Sequence, residues 1–529
     1  MPDQPRWLTA LVAGLQEALP RLHGCHSDPL VEELIGDLTA ALAEGRLEIT
    51  LPSPAHRRAL LASPLLRDAA GPLVLEGDQL QWRLWHQQRQ GVLLALKQRA
   101  QQPLPSLAEP GAAERVLALV AAHGDGLDPR QQAAVAAVLS RPLVLLEGGP
   151  GTGKTSTVSR MLAAVLAQQP GCRVQLAAPT GKAAARLRAS QGQSNWPCST
   201  LHRLLQSRGE GFARNRHQPL ALDLLVIDEV SMVDVPLMQA LLDALPPACR
   251  LVLVGDRAQL PPVGPGSVLQ DLQSPALRSA LGPGAVELTR VYRNNGALAA
   301  VAAALRAGAQ DLEPLLAPLP PQANLQWLQQ PPARLPEVLL ARLRQQQQQL
   351  QTLAAGTDPA SPTAAARLLD QLERFLVLTP LRRGRWGVDA IHRALLGDGF
   401  LASPQLWPLG TPVLCPVNRD DLGLANGDLG VLVAREGRCQ LLFAPAGSTD
   451  PLWVHPALLP GVQPALALTV HKAQGSEADE VWVLLPEAVR QARPLLYTAL
   501  TRARQRAWLI TAALPTLEPA ATLSLDPAS

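Results

Sequence analysis

At 529 residues the chain is too long for one hydrophobic core, so two to four domains are expected. Its composition, 47% hydrophobic and 17% charged, is that of a soluble globular protein, and a formal net charge of +3 excludes a polycation. With no run of about 18 apolar residues and no basic, then apolar, leader in the first twenty residues, neither a membrane span nor secretion is expected, and the expected compartment is the cytoplasm.

Residues 1–115 are rich in Leu, Ala, Gln and Trp, and residues 30–42 and 82–96 carry helical periodicity. They hold no catalytic constellation, which points to a helical docking domain, closed by a linker at Pro103, Pro105, Pro110 and Gly111. From 116 to 288, apolar runs at 143–146, 174–177, 224–227 and 251–254 alternate with helix-like segments, the rhythm of a parallel α/β sheet. A second α/β region spans 289–399, with a strand expected at 375–379 and the glutamine tract 345–349 on a surface helix. Residues 400–461, richer in Gly, Pro and Val, read as a small β insertion, and the sheet pattern resumes across 462–529. The six cysteines form no CxxC pair, so no zinc site is expected.

The run Gly148-Gly149-Pro150-Gly151-Thr152-Gly153-Lys154-Thr155-Ser156 fits GxxxxGK[ST], after a strand and before a helix, the context of a P-loop. Its backbone N–H groups suit phosphates, Lys154 the β/γ oxygens and Thr155 a Mg²⁺ ion, so ATP and Mg²⁺ are expected. About 75 residues on, an apolar strand delivers Asp228 and Glu229. Asp228 would hold the metal's water shell and Glu229 would polarise the attacking water. A third strand ends at Asp256 with Gln259 three residues later, placed to bond both water and γ-phosphate. Of only four lysines, Lys154, Lys182 and Lys472 fall in such segments, where arginine's planar fork cannot replace a compact ammonium.

These residues resemble superfamily 1 helicases, and the order of the other segments extends the likeness over residues 127–515. Gln131 resembles the glutamine that reads adenine. Segments holding Thr180 and Lys182, and then Thr200 and His202, resemble motifs Ia and Ib, expected on the DNA backbone. Arg293, after Tyr292, resembles the motif IV arginine that reaches the γ-phosphate. Thr469, His471 and Glu477 match motif V, which couples DNA phosphates to the nucleotide, and Arg502 matches the arginine finger of motif VI.

Within that superfamily, residues 379–388, 418–430 and 471–481 resemble RecD-type motors, and residues 209–219 resemble the β-hairpin pin that splits duplex DNA. Residues 75–80 with the helix after them resemble the front domain that docks on RecC. The resemblance implies an α/β fold of two RecA-like P-loop lobes with parallel sheets, a helical N-terminal domain and a β-barrel-like insertion. The implied boundaries are 1–115, 116–288 with the hairpin near 207–220, 289–399, 400–461 and 462–529. It further implies an ATP-dependent 5′→3′ DNA helicase. Its expected partners are single-stranded DNA, DNA ends, and RecB-like and RecC-like subunits of a helicase–nuclease for recombinational repair. A free-standing RecD-like helicase, a nucleotide-binding structural subunit and an RNA helicase remain open alternatives.

Overall fold

The computed structural model describes residues 6–513 except 27, 68–69, 105–106, 108, 192–195, 210, 293–295, 332, 357–360, 402, 420, 436, 445–449 and 487–491. Near the N-terminus, helix Pro29–Ala43 starts where the Asp28 carboxylate accepts the Leu30 N–H, with proline in the first turn. Its stripe of Val31, Leu34, Ile35 and Leu38 is buried. This region, expected to be helical, carries a small sheet beside its helices. Glu48–Thr50, Gln79–Trp82 and Leu73–Glu76 form an antiparallel three-stranded sheet, in that spatial order. Strands of three or four residues are too short for a period-two signal to stand out. Trp82 accordingly ends a strand, and the helix starts at Arg83.

Helix Arg83–Gln101 fastens this region to the first sheet domain. Arg89 binds Asp271 at 2.6 Å and Glu48 at 2.8 Å, and Arg99 donates to the Pro247 and Cys249 carbonyls.

The first lobe is built on a six-stranded sheet, all parallel. Its order is Ala285–Leu288, Leu143–Gly148, Arg250–Gly255, Leu224–Ile227, Val174–Ala178, Cys198–Thr200. The central strands Leu143–Gly148, Arg250–Gly255 and Leu224–Ile227 are buried throughout, because helices cover both faces; this accounts for their continuous apolar runs. The second lobe repeats the plan with five parallel strands: Leu325–Gln329, Ala503–Thr511, Ala478–Leu485, Phe375–Thr379 and Leu468–Thr469. Between Phe375–Thr379 and Leu468–Thr469 in the chain lies an antiparallel five-stranded sheet, from Pro412–Leu414 to Gln463–Pro464. The glutamine tract lies in helix Glu337–Ala355, where Gln346 turns inward to the Gln371 carbonyl at 3.1 Å. No helix among the described residues is long and apolar enough to cross a membrane.

In helix Val388–Leu396, His392 is buried and its Nε2 accepts the Ala467 N–H at 3.4 Å. Burial pushes this imidazole down to about 4. Its folded value lies below the unfolded one, near 6.5, so between the two the unfolded chain binds more protons. The stability in question is intact above pH 6.5 and is lost as pH falls toward 4. Wild-type protein is expected to lose up to about 3 kcal/mol across that window, and His392→Gln to lose less. Urea midpoints at pH 6.5, 5.5 and 4.5 measure this; parallel slopes for the two proteins would rule it out.

Candidate functional site

The strand Leu143–Gly148 ends in the glycine loop, and helix Lys154–Gln168 follows at once. A side chain on Gly148 would stand 2.5 Å from Thr152 Oγ1, and Gly153 adopts φ +82° facing Gln131, so both positions require glycine. Lys154 Nζ rests on the carbonyls of Gly148 and Gly149 at 2.6 and 3.0 Å, at the mouth of the cradle. Thr155 and Ser156 occupy the first helical turn, where unpaired N–H groups favour anions.

Gln131 is buried beside this loop. With Asp128 it closes a capping box: the Asp128 carboxylate accepts the Gln131 N–H at 3.0 Å, and Gln131 Oε1 accepts the Asp128 N–H at 3.1 Å. The amide oxygen is therefore engaged in the cap, and Nε2 faces the Thr152 carbonyl at 3.5 Å. Tyr292 donates its hydroxyl to Asp128 at 2.7 Å and its N–H to the Gly151 carbonyl at 2.8 Å. Arg293 lies outside the described residues.

Asp228 and Glu229 follow the buried strand Leu224–Ile227. Burial, and then the neighbouring Glu229 charge, raise Asp228 above the ordinary carboxylate range. Glu229 takes φ +54°, a strained conformation for a residue with a side chain, and its N–H is held by Asp228 Oδ1 at 2.9 Å. The adjacent carboxylates of Asp228 and Glu229 are hard-oxygen donors, and a divalent cation would relieve their repulsion. Lys154 and Arg186 both lie within electrostatic range of Asp228.

The second lobe closes over this edge. Tyr497 Oη donates to fully buried Asp256 at 2.5 Å, and Arg306 Nε lies 3.9 Å from the same carboxylate. A methyl group on Gly149 would stand 3.1 Å from Tyr497 Oη and 3.3 Å from Arg306 Nη1, so both side chains touch the phosphate loop. Arg306 also binds Glu287 at 2.9 Å. Burial and the Asp256 charge push the Tyr497 phenol far up, keeping it a donor. Arg502 is buried on the carbonyls of Thr498 and Ser476, at 3.0 and 3.4 Å. Gln259 is buried next to Leu260, whose N–H reaches Thr498 Oγ1 at 2.8 Å. Glu477 bridges Arg186 at 3.1 Å and Arg504 at 3.4 Å, so it meets arginines at the lobe junction.

Arg306 and Arg186 carry no role in the sequence reading. The signal for Arg306 is that it is the single charged residue of helix Ala297–Ala307. Arg186, desolvated yet raised by Glu477, Glu229 and Asp228, links motif V to the acidic pair.

Thr200 ends one strand and Thr180 lies two residues past the end of its neighbour, with Ala178 and Thr200 in register. Each caps the helix that follows, accepting the N–H of Ala183 and Arg203 respectively, both at 3.2 Å. Thr180 Oγ1 would lie 3.1 Å from a side chain on Gly475, so motifs Ia and V share one face. Thr469 ends its strand and accepts the Lys472 N–H at 3.4 Å, and His471 is exposed. Exposed His202 meets the Phe212 ring at 5.9 Å. The hairpin itself pairs Ser207–Arg208 with Gly211–Phe212. Lys182 instead turns into the lobe junction, donating to Ser476 Oγ at 3.0 Å, and enclosure there lowers it to about 8.

Removing the donor on a buried carboxylate costs about 1.5–3 kcal/mol. Tyr497→Phe is therefore expected to slow phosphate release from a nucleoside triphosphate by about tenfold or more, with triphosphate affinity nearly unchanged. Steady-state turnover and equilibrium binding would show this; wild-type turnover would remove the Asp256 contact from the working cycle.

Two family models match, an AAA domain over residues 131–265 and a UvrD-like helicase C-terminal domain over residues 464–510. The chain is 37% identical to the RecBCD enzyme subunit RecD of Mycolicibacterium smegmatis, covering 76% of each chain. It is 35% identical to the RecBCD enzyme subunit RecD of Mycobacterium tuberculosis, over 89% of this chain and 82% of that one. The ATP-dependent RecD2 DNA helicase of Deinococcus radiodurans is 35% identical over 73% of this chain but only 50% of its own length.

Proposed function

This chain belongs to the RecD family of superfamily 1 helicases, and we propose from that premise that it is an ATP-driven 5′→3′ DNA translocase. The observation that carries the proposal is the meeting, at one glycine loop, of Lys154 and the acidic pair with Tyr497 and Arg306 from the opposite lobe. Phosphates of ATP lie on the P-loop amides and Lys154. Thr155 and Asp228 would hold Mg²⁺, which when bound would supply charge neutralisation to the phosphates. Glu229, held off the strand by its strained backbone, takes the proton of the attacking water, and Gln259 orients that water. Arg293 and Arg502 balance the charge that develops on the γ-phosphate.

Loss of that phosphate removes the anion that binds both lobes, so the cleft opens and the grip of Thr180, Thr200, His202, Thr469 and His471 on the strand alternates. The hairpin Ser207–Phe212 parts the duplex ahead of the motor. In the cytoplasm the chain acts at DNA ends in a RecBCD-like assembly, whose RecB-like partner supplies the nuclease and whose RecC-like partner receives the N-terminal domain. Support for the subunit reading comes from the match to RecD subunits of RecBCD enzymes, at 37% and 35% identity over 76% and 82% of their lengths.

Lys154→Ala is expected to abolish ATP turnover, and Glu229→Gln to retain ATP binding while lowering hydrolysis by at least about 100-fold. DNA and RNA strands compared as ATPase activators, and tailed duplexes compared for unwinding, complete the test. Unwinding from 3′ tails alone would reverse the polarity, and normal hydrolysis in either variant would refute the site.

A further inference from the structure

The loop that carries Gln259 runs on through residues 260–266 and contains Pro261, Pro262 and Pro265. Proline fixes φ, so this strap bends little and passes a displacement at one end to the other. One end reaches the second lobe. There the Leu260 N–H donates to Thr498 Oγ1 at 2.8 Å, and Gln474 Nε2 donates to the Leu260 carbonyl at 3.4 Å. Between the ends, the Pro265 carbonyl accepts the Val235 N–H at 3.1 Å, where the helix behind the acidic pair begins.

The other end is held by the N-terminal domain. Gly45, in the turn after helix Pro29–Ala43, takes φ +80°, and its carbonyl accepts the Gly266 N–H at 2.9 Å. A methyl group on Gly45 would stand 3.1 Å from the Gly264 carbonyl oxygen, 3.3 Å from that of Pro262 and 3.4 Å from that of Val263. The turn therefore lies against the strap's backbone, and both its conformation and its clearance require glycine. Leu47 extends the contact: it is buried with the first lobe's core, and its Cδ1 would meet a side chain on Gly266 at 2.7 Å. Arg89, bound both to Glu48 and to Asp271 just past the strap, closes the clamp.

We propose that the N-terminal domain positions the Gln259 loop, with Gly45 as the positioning residue through which its turn fixes the strap and hence the side chain that orients the attacking water. The inference rests on the role given to Gln259 above, and extends the hydrolytic machinery to a domain that holds none of its reacting groups. Attack geometry tolerates little error: a misplacement of about 1 Å, caused far from the chemistry, can cost about 100-fold in rate. Coupling is also reciprocal, so nucleotide on the glycine loop must act back on the turn at Gly45. The domain is thereby a working part of the motor.

The test uses the full-length chain and reads two quantities. Hydrogen exchange of residues 41–47 is followed with and without magnesium adenylyl imidodiphosphate, a non-hydrolysable ATP analogue, and is expected to slow when the analogue binds. Gly45→Ala is expected to lower kcat for ATP turnover on a single-stranded oligodeoxynucleotide about tenfold or more, with KM for ATP nearly unchanged and the exchange response lost. A merely structural turn would lower the unfolding midpoint of Gly45→Ala and leave kcat of the folded fraction at the wild-type value, which would overturn the proposal. No slowing at residues 41–47 in the wild-type chain would overturn it equally, even if Gly45→Ala does not fold. Gln259→Ala is the control. Full turnover in that variant would refute the role given to Gln259, whereas a loss there beside normal turnover in Gly45→Ala would sink this inference alone.

Discussion

Asp256 ends a first-lobe strand fully buried, and two side chains that reach it, Tyr497 and Arg306, come from the second lobe. A carboxylate withdrawn from water needs such partners, because an unpaired buried charge costs several kcal/mol. That need ties the lobes together at the one edge where the phosphate loop lies, and both partners also touch Gly149. Any motion that parts the lobes must break these contacts, and any anion on the loop changes the field in which Arg306 sits. The nucleotide cleft and the lobe junction are thus one structure.

The rest of the junction follows the same rule. Leu260 meets Thr498, Lys182 meets Ser476, and Arg186 meets Glu477, each contact polar and each joining a segment near the acidic pair to a segment of the second lobe. Polar junctions can open and rewet at modest cost, whereas an apolar one of equal area would hold shut. The apolar cores lie mostly on either side, with Leu260 of the first lobe packed into the cluster of the second. Strain at Glu229 belongs to this arrangement too, since its φ of +54° persists only where the surrounding contacts over-determine it.

Much of this was legible beforehand. The two parallel sheets show in continuous apolar runs, since a strand covered on both faces has no polar alternation to hide it. The glycine loop shows because a backbone that must approach phosphates tolerates few residues, as the crowding at Gly148 and the φ of Gly153 make plain. The N-terminal sheet did not show, because its strands of three or four residues sit in a Leu/Gln-rich stretch that also fits a helix.

Local chemistry therefore determined the lobes, the loop, the acidic pair and the order of the motifs, each of which depends on neighbours within a few residues along the chain. Tertiary structure alone decided that Arg306, alone in its alanine-rich helix, reaches Asp256, and that Lys182 faces Ser476, 294 positions away. The physical reason is that a charge shows its purpose only through what lies within a few ångströms of it, and packing, not spacing along the chain, chooses those neighbours.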